Sequence, residues 1–227
     1  MLEKPEENNK DNLHLAGRVV ISSIPIFGGA ALELFNKIIA PPIEKRKHQW
    51  MNDVTDAINK LVQEKAIDIN KLKNNEQFIN TILQASTIAI KNYQKEKLEA
   101  LKNAVLNSAL SNSPDESLQQ IFLSYVDEFT IWHIKILFLF HNQILWFSNN
   151  HKPFPNLING ALSDILEAAY PELSDRKEFY ELIWSDLFSK KFTTVNMLNV
   201  SMTDSGLKAE RTSELGEAFL NFISSPL

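Results

Sequence analysis

The chain contains no cysteine. That excludes disulfides, zinc–thiolate sites, iron–sulfur clusters and any cysteine nucleophile, and it fits a reducing compartment. Glycine is scarce, 6 among 227 residues, and the longer segments show helical rather than alternating periodicity, which predicts a mostly α protein. Positive charge is not in excess. Lys plus Arg number 23 against 28 Asp plus Glu, a net charge of −5, which argues against a general nucleic-acid binder. Long apolar runs are missing too. The uncharged stretch near the start, Val19 to Leu32, covers about 14 residues, whereas a spanning helix needs roughly 20. Pro25 and the pair Gly28-Gly29 interrupt it further.

Several chemical signatures are also lacking. The five histidines, His14, His48, His133, His141 and His151, form no HExxH motif and no i, i+4 pair. No G-x-S-x-G elbow surrounds any serine, and Gly28-Gly29 sits in neither a P-loop nor a dinucleotide fingerprint. His133 and His141, with Glu128 nearby, could be drawn as a metal site, but buried, hydrogen-bonded structural histidines are the favoured reading. The carboxylate pairs Asp53/Asp56 and Asp127/Glu128 could serve acid–base work; on helices of this kind they read as solvated faces or caps. No catalytic residue, metal ligand or cofactor site is assigned.

What is present is an ordinary globular composition, 44% hydrophobic and 22% charged, which excludes a largely disordered chain and suffices for one large domain or two small ones. Met1 to Asn12 is polar and lacks the features of a secretory signal, so residues 1–14 read as a flexible tail. Residues 15–150 read as a helical bundle domain. Its first segment, Leu15 to Ile43, leaves two readings open. It is a broken core helix in which Gly28-Gly29 permits close packing, or an interfacial membrane segment followed by the basic cluster Lys45, Arg46 and Lys47. In the second reading Ile24, Phe27, Gly28, Gly29, Leu32 and Phe35 dock or insert while the basic residues meet acidic lipid or an acidic partner.

Further along, Pro42 suits the first turn of a helix reaching about Lys65. Trp50, Val54, Ile58, Leu61 and Val62 form its apolar stripe. Ile67 to Lys73 reads as a connection. One long helix follows, from about Asn75 to Leu110, roughly 50 Å at 1.5 Å per residue, with a kink expected near Gln94 to Glu96 and with Phe78, Ile82, Ala85, Ala89 and Tyr93 on one face. Ser113-Pro114-Asp115-Glu116 looks like a helix start with Ser113 at the cap. That helix runs into Ile131–Phe147, apolar on most of its circumference. The block reads as a central helix covered on several sides, with Lys135 snorkelling outward; a segment entering a bilayer is the other reading. Trp50 and Trp146 suit core edges or membrane interfaces.

Ser148 to Asn156 is polar with two prolines, and the domain boundary is placed there. In residues 151–227 the expected order is a helix over Leu157–Ala169 with Ile158, Leu162, Ile165 and Leu166 on one side, and a helix capped by Ser174-Asp175 with Phe179, Leu182, Ile183 and Leu187 inward. A β-hairpin over Val195–Thr212 and a closing helix complete it. This is a winged-helix layout. The run Arg211 to Leu220, with Thr212, Leu215, Gly216, Phe219 and Leu220, resembles the ending of many winged-helix proteins. DNA binding would use Lys190, Lys191, Lys208 and Arg211, but from Lys152 onward seven basic residues face eleven acidic ones, and phosphate neutralisation by Lys and Arg dominates duplex affinity.

The start IPIFGGAALELFNKIIAPPIEKR, the long central helices and the end RTSELGEAFLNFI together resemble uncharacterised bacterial proteins of the abortive-infection alpha type. The resemblance implies a role in a bacterial response to phage, brings no known reaction, and transfers no residue. The expectation is a non-enzymatic cytoplasmic protein, peripheral at the inner membrane face when it meets lipid. It acts through a protein partner, self-association or membrane contact; the alternative is a DNA-binding winged-helix regulator.

Overall fold

The computed structural model describes residues 37–65 and 67–227. Eleven α-helices, one 3₁₀ turn and one two-stranded pair make up the described secondary structure, so the protein is mostly α. The chain divides into two compact units. The first ends at Leu123 and includes Ser225–Leu227; the second spans Ser124–Ser224. The division falls inside a helix, and Ser148–Asn156 lies within the second unit.

The first unit contains α1 (Ala40–Lys65), α2 (Ile69–Lys73), α3 (Glu76–Lys91), α4 (Lys95–Ser108) and the start of α5 (Glu116–Glu128). Pro41 and Pro42 occupy the first turn of α1, where a missing N–H costs nothing. Trp50, Val54, Ile58 and Leu61 are its buried stripe, and Trp50 Nε1 donates to Ser86 Oγ at 2.9 Å, which makes Trp50 a core-edge residue. The expected connection at 67–73 contains a helix, α2, capped by Asp68, whose carboxylate accepts from Asn70 N.

The single long helix expected over 75–110 is two helices. Asn92 leaves α3 with ψ 150° and its side-chain amide donates to Ile88 O at 2.9 Å. The chain then re-enters at Lys95, and α4 packs back on α3. Small residues on the two helices, Ala85 and Ala89 with Ala100 and Ala104, are buried and let the backbones approach. Tyr93, expected on the buried face, falls in the break and is exposed.

Sequence reading also missed a polar seam. Gln77, Asn80, Thr81 and Gln84 of α3 reach Pro114 O, Glu116 Oε1, Gln119 Oε1 and Gln120 O. The buried member, Thr81 Oγ1 to Gln119 Oε1 at 2.6 Å, satisfies groups that would otherwise cost about 1–3 kcal/mol each. The cap of α5 is Asp115 rather than Ser113: its carboxylate accepts from Leu118 N at 3.1 Å, three residues on as N-capping requires.

The second unit holds α6 (Ile131–His141), α7 (Gln143–Asn149), β1 (Asn159–Gly160), α8 (Leu162–Ala169), a 3₁₀ turn (Pro171–Leu173), α9 (Lys177–Ser189), β2 (Met202–Thr203), α10 (Asp204–Lys208) and α11 (Glu214–Ile223). The apolar block at 131–147 does not continue α5. Thr130 and Asn142 adopt extended backbone and cap α6 and α7 in turn. Helix α6 is packed by α8, α9 and α11, which is why it buries Ile134, Ile136, Leu137, Leu139 and Phe140 around most of its girth.

Local expectations in the C-terminal third need correction. The helix expected from Leu157 begins at Leu162, and Ile158 is 87% exposed. Helix α9 starts at Lys177 behind Arg176, without a side-chain cap from Ser174 or Asp175. Leu182 points outward, 69% exposed, while Tyr180 and Trp184 take the inward positions beside Ile183 and Leu187. The hairpin expected over 195–212 does not form. Met202–Thr203 pairs antiparallel with Asn159–Gly160, Asp204–Lys208 is helical, and Thr193 and Thr212 form an isolated bridge. The turn residues Thr203 to Gly206 serve a helix start instead: Thr203 Oγ1 accepts from Gly206 N.

Candidate functional site

Three places gather side chains that could act on something. In the first unit a cleft of about 400 Å³ runs between α1 and α4. It is lined by Asp53, Asp56 and Lys60 from one helix and by Glu99, Lys102 and Asn103 from the other, with Ser225 and Leu227 at its side. Its carboxylates are exposed. Glu99 already holds Lys102 at 2.7 Å, and Lys60 lies 3.7 Å from Glu64. Solvated pairs of this kind are worth little. Among the described residues no group of three His, Asp or Glu side chains could hold a metal ion.

The second place surrounds His133. Thr130 N donates to His133 Nδ1 at 3.1 Å, and the Thr130 hydroxyl lies 2.9 Å from the same atom. With Nδ1 accepting, the ring proton sits on Nε2, which faces Asp186 Oδ2 at 3.2 Å. Asp186 Oδ1 meets Lys190 Nζ at 3.3 Å, and Lys190 meets Glu128 Oε1 at 2.8 Å. The His133 ring stacks on Phe129 at 4.7 Å and 2°. Burial pushes His133 below its ordinary 6.5, and Asp186 opposes that shift without reversing it. The bonded Glu128 carboxylate, then Asp186, holds Lys190 above the ordinary lysine range. Every member is thus committed to a structural partner. His141 is engaged elsewhere, its Nδ1 3.1 Å from Thr212 Oγ1, so the two histidines do not converge on one ligand.

A pH dependence follows. Because the folded pKa lies below the unfolded one, the unfolded chain takes up a proton first as pH drops below about 6.5. Stability therefore falls as pH falls through that region. His133→Gln is expected to lower stability by about 1–3 kcal/mol near neutrality, through the buried partners it orphans. It should also remove part of the slope of Tm against pH below 6.5. Thermal melts of both proteins across pH check this; identical slopes would refute it.

The third place is a half-exposed aromatic face in the second unit. Trp132 and Trp146 both pack edge-on against Tyr170, at 5.3 and 5.1 Å. Lys135 Nζ lies 5.2 Å over the Trp132 ring and Lys152 Nζ 5.7 Å over the Trp146 ring, distances at which a cation is attracted to the ring face. Lys152 is also anchored by donating to Ala169 O at 2.6 Å. Burial pushes the Tyr170 phenol up to about 12, so it stays neutral. On the same two helices, α6 and α7, Phe138, Ile144 and Leu145 are exposed. Among the described residues no helix is long and apolar enough to cross a membrane.

The residues expected to act are distributed as follows. Ile24, Phe27, Gly28, Gly29, Leu32 and Phe35 lie outside the described residues. Lys45, Arg46 and Lys47 sit in the first turns of α1; Lys45 is exposed, and the Arg46 guanidinium lies 6.0 Å over Tyr93. Of the four cations assigned to DNA, Lys190 is paired twice and Lys208 is bound to Asp204 at 2.6 Å. Arg211 turns toward Gly206 O and Met202 Sδ. Lys191 lies over Phe188 at 5.8 Å and adopts φ 66°, closing the end of α9. Sequence reading named Lys135 and Trp146 but not their union with Trp132, Lys152 and Tyr170. A signal was available: from Ile131 through Ser163 the chain carries no Asp or Glu. No protein family, no curated protein and no solved structure matches this chain.

Proposed function

We propose that this chain works by non-covalent contact, docking on a membrane surface or a protein rather than transforming a substrate, in a bacterial response to phage. The observation that carries the contact reading is the half-exposed face of Trp132, Lys135, Trp146 and Tyr170, with Leu145, the residue before Trp146, exposed on α7. Elsewhere the candidate chemical groups are occupied: His133, Asp186, Lys190 and Glu128 bind one another, and the cleft carboxylates are open to water. A half-exposed cluster of rings stabilises nothing by staying wet, and such patches mark contact sites. The phage role comes from the resemblance of both chain ends to the abortive-infection alpha type. DNA binding gains no support, since two of its four cations are neutralised within the second unit.

Phage plating on a bacterial host expressing the full chain tests this reading. Wild type is expected to lower plating, Leu145→Asp to abolish the effect, and Asp56→Asn and Glu99→Gln to retain it. Loss in the carboxylate variants with Leu145→Asp unharmed would overturn the contact reading. No protection by wild type would overturn the phage role.

A further inference from the structure

We propose that Asn159 is a site of spontaneous deamidation, where the side-chain carboxamide becomes a carboxylate without any enzyme. Such a modification goes beyond the contact reading and does not depend on it.

The chemistry needs two adjacent residues. The backbone nitrogen after an asparagine gives up its proton to solvent base and attacks the side-chain Cγ. The bond from Cγ to the amide nitrogen breaks, and ammonia leaves with a proton taken from water. A five-membered cyclic imide results, and water opens it at either carbonyl. One opening gives aspartate. The other gives isoaspartate, whose main chain runs through the side-chain carbon. No oxidant or reductant takes part. A side chain on the second residue hinders the attack, and glycine has none. Of the six glycines in the chain, only Gly160 follows an asparagine.

Asn159 is exposed, and its side-chain amide has no hydrogen-bond partner among the described residues. Other asparagines are held. The amides of Asn74, Asn92 and Asn150 donate to Asn70 O, Ile88 O and Trp146 O, and the carboxamide oxygens of Asn75 and Asn142 cap helices. The backbone at Asn159 is lightly held too. Strand β1 is two residues long and pairs with Met202–Thr203. So short a ladder is marginal and opens locally, which frees the Gly160 nitrogen. The preceding residue, Ile158, is 87% exposed, so it adds little packing to keep β1 closed.

Packing requires glycine at 160. A β-carbon there would lie 2.9 Å from both Asp164 Oδ2 and Leu157 Cδ1. The susceptible pair is therefore built into the fold. Either product disturbs β1. Aspartate at 159 places a carboxylate opposite Thr203, whose neighbour in the chain is Asp204. Isoaspartate adds a backbone atom and breaks the register of Asn159 with Thr203.

Peptide mapping of the full chain by tandem mass spectrometry, after days at body temperature in mildly alkaline buffer, tests the proposal. The peptide holding Asn159 is expected to gain one mass unit at that residue, faster than any other asparagine in the chain, and to elute as two isomers. Mildly acidic buffer should slow the gain, because the attacking nitrogen must lose a proton. Asn159→Gln, whose longer side chain closes a six-membered ring less readily, should remove the gain at this position. Circular dichroism confirms that this surface variant remains folded. Hydrogen–deuterium exchange should be faster at residues 159–160 and 202–203 in the aged wild type than in fresh protein, and equal in aged and fresh Asn159→Gln. An Asn159 peptide that stays unchanged, or that changes no faster than the other asparagine peptides, overturns the proposal.

Discussion

Phe129→Ala is expected to destabilise the second unit by about 3–5 kcal/mol, the usual range for emptying a buried phenylalanine site. Phe129 is fully buried and sits where four rings meet. It stacks on Tyr125 at 5.3 Å and on His133 at 4.7 Å, and meets Phe192 and Phe219 edge-on at 5.6 and 6.0 Å. Truncation would leave a cavity that rigid rings fill poorly. It would also release the His133 ring, which positions the hydrogen bonds to Thr130 and Asp186. Chemical denaturation followed by near-ultraviolet circular dichroism measures the loss. A change under about 1 kcal/mol would show that the cluster is not the keystone of this unit.

Gly216→Ala is the second large effect, and its cause is crowding rather than a void. A β-carbon at Gly216 would lie 2.3 Å from Phe192 O and 3.2 Å from Phe192 C. The obstacle is backbone, so no rotamer change relieves it. The backbone there is also fixed: Ser213 N donates to Phe192 O at 3.0 Å, and Ser213 Oγ caps α11 by accepting from Gly216 N at 3.0 Å. Making room means separating α11 from the segment after α9 and loosening Phe192 and Phe219, whose rings lie 5.0 Å apart. The expected cost is about 3 kcal/mol, at the upper end of overpacking. Ser213→Ala, which removes the cap and the hydroxyl's donation to Lys191 O, should cost about 1–2 kcal/mol. Equal melting temperatures for Gly216→Ala and wild type would contradict the close approach.

The glycine illustrates what the sequence made legible and where it fell short. The run around Thr212, Gly216 and Phe219 stood out as an ending, and it does form a capped helix, α11. Why position 216 is glycine depends on Phe192, more than 20 residues earlier in the chain, and no local pattern states that. Apolar stripes survived well, since Trp50, Val54, Ile58 and Leu61 need only their own helix's periodicity. The interruption expected near Gln94 to Glu96 is there, but as a full break between Lys91 and Lys95 rather than a kink, and the part of Asn92, whose amide competes with the helix through a single hydrogen bond, was less visible.

The hairpin expectation failed for a related reason. Residues 195–202 are β-prone, but the partner of Met202 and Thr203 is Asn159–Gly160, distant in sequence. Strand propensity does not name a partner. The aromatic face was half legible. Lys135 and Trp146 stood out on their helices, while Tyr170, which joins Trp132 to Trp146, follows α8 and is brought in by tertiary packing.

Hydrogen–deuterium exchange of the full chain alone, with host-lipid vesicles and with host cytosol tests the central claim most directly. The account predicts slowed exchange in α6 and α7 and around Tyr170 in one of the two mixtures, with α3 unchanged. Unaltered exchange over Ile131–Asn149 in both, or protection confined to the first unit, would contradict it.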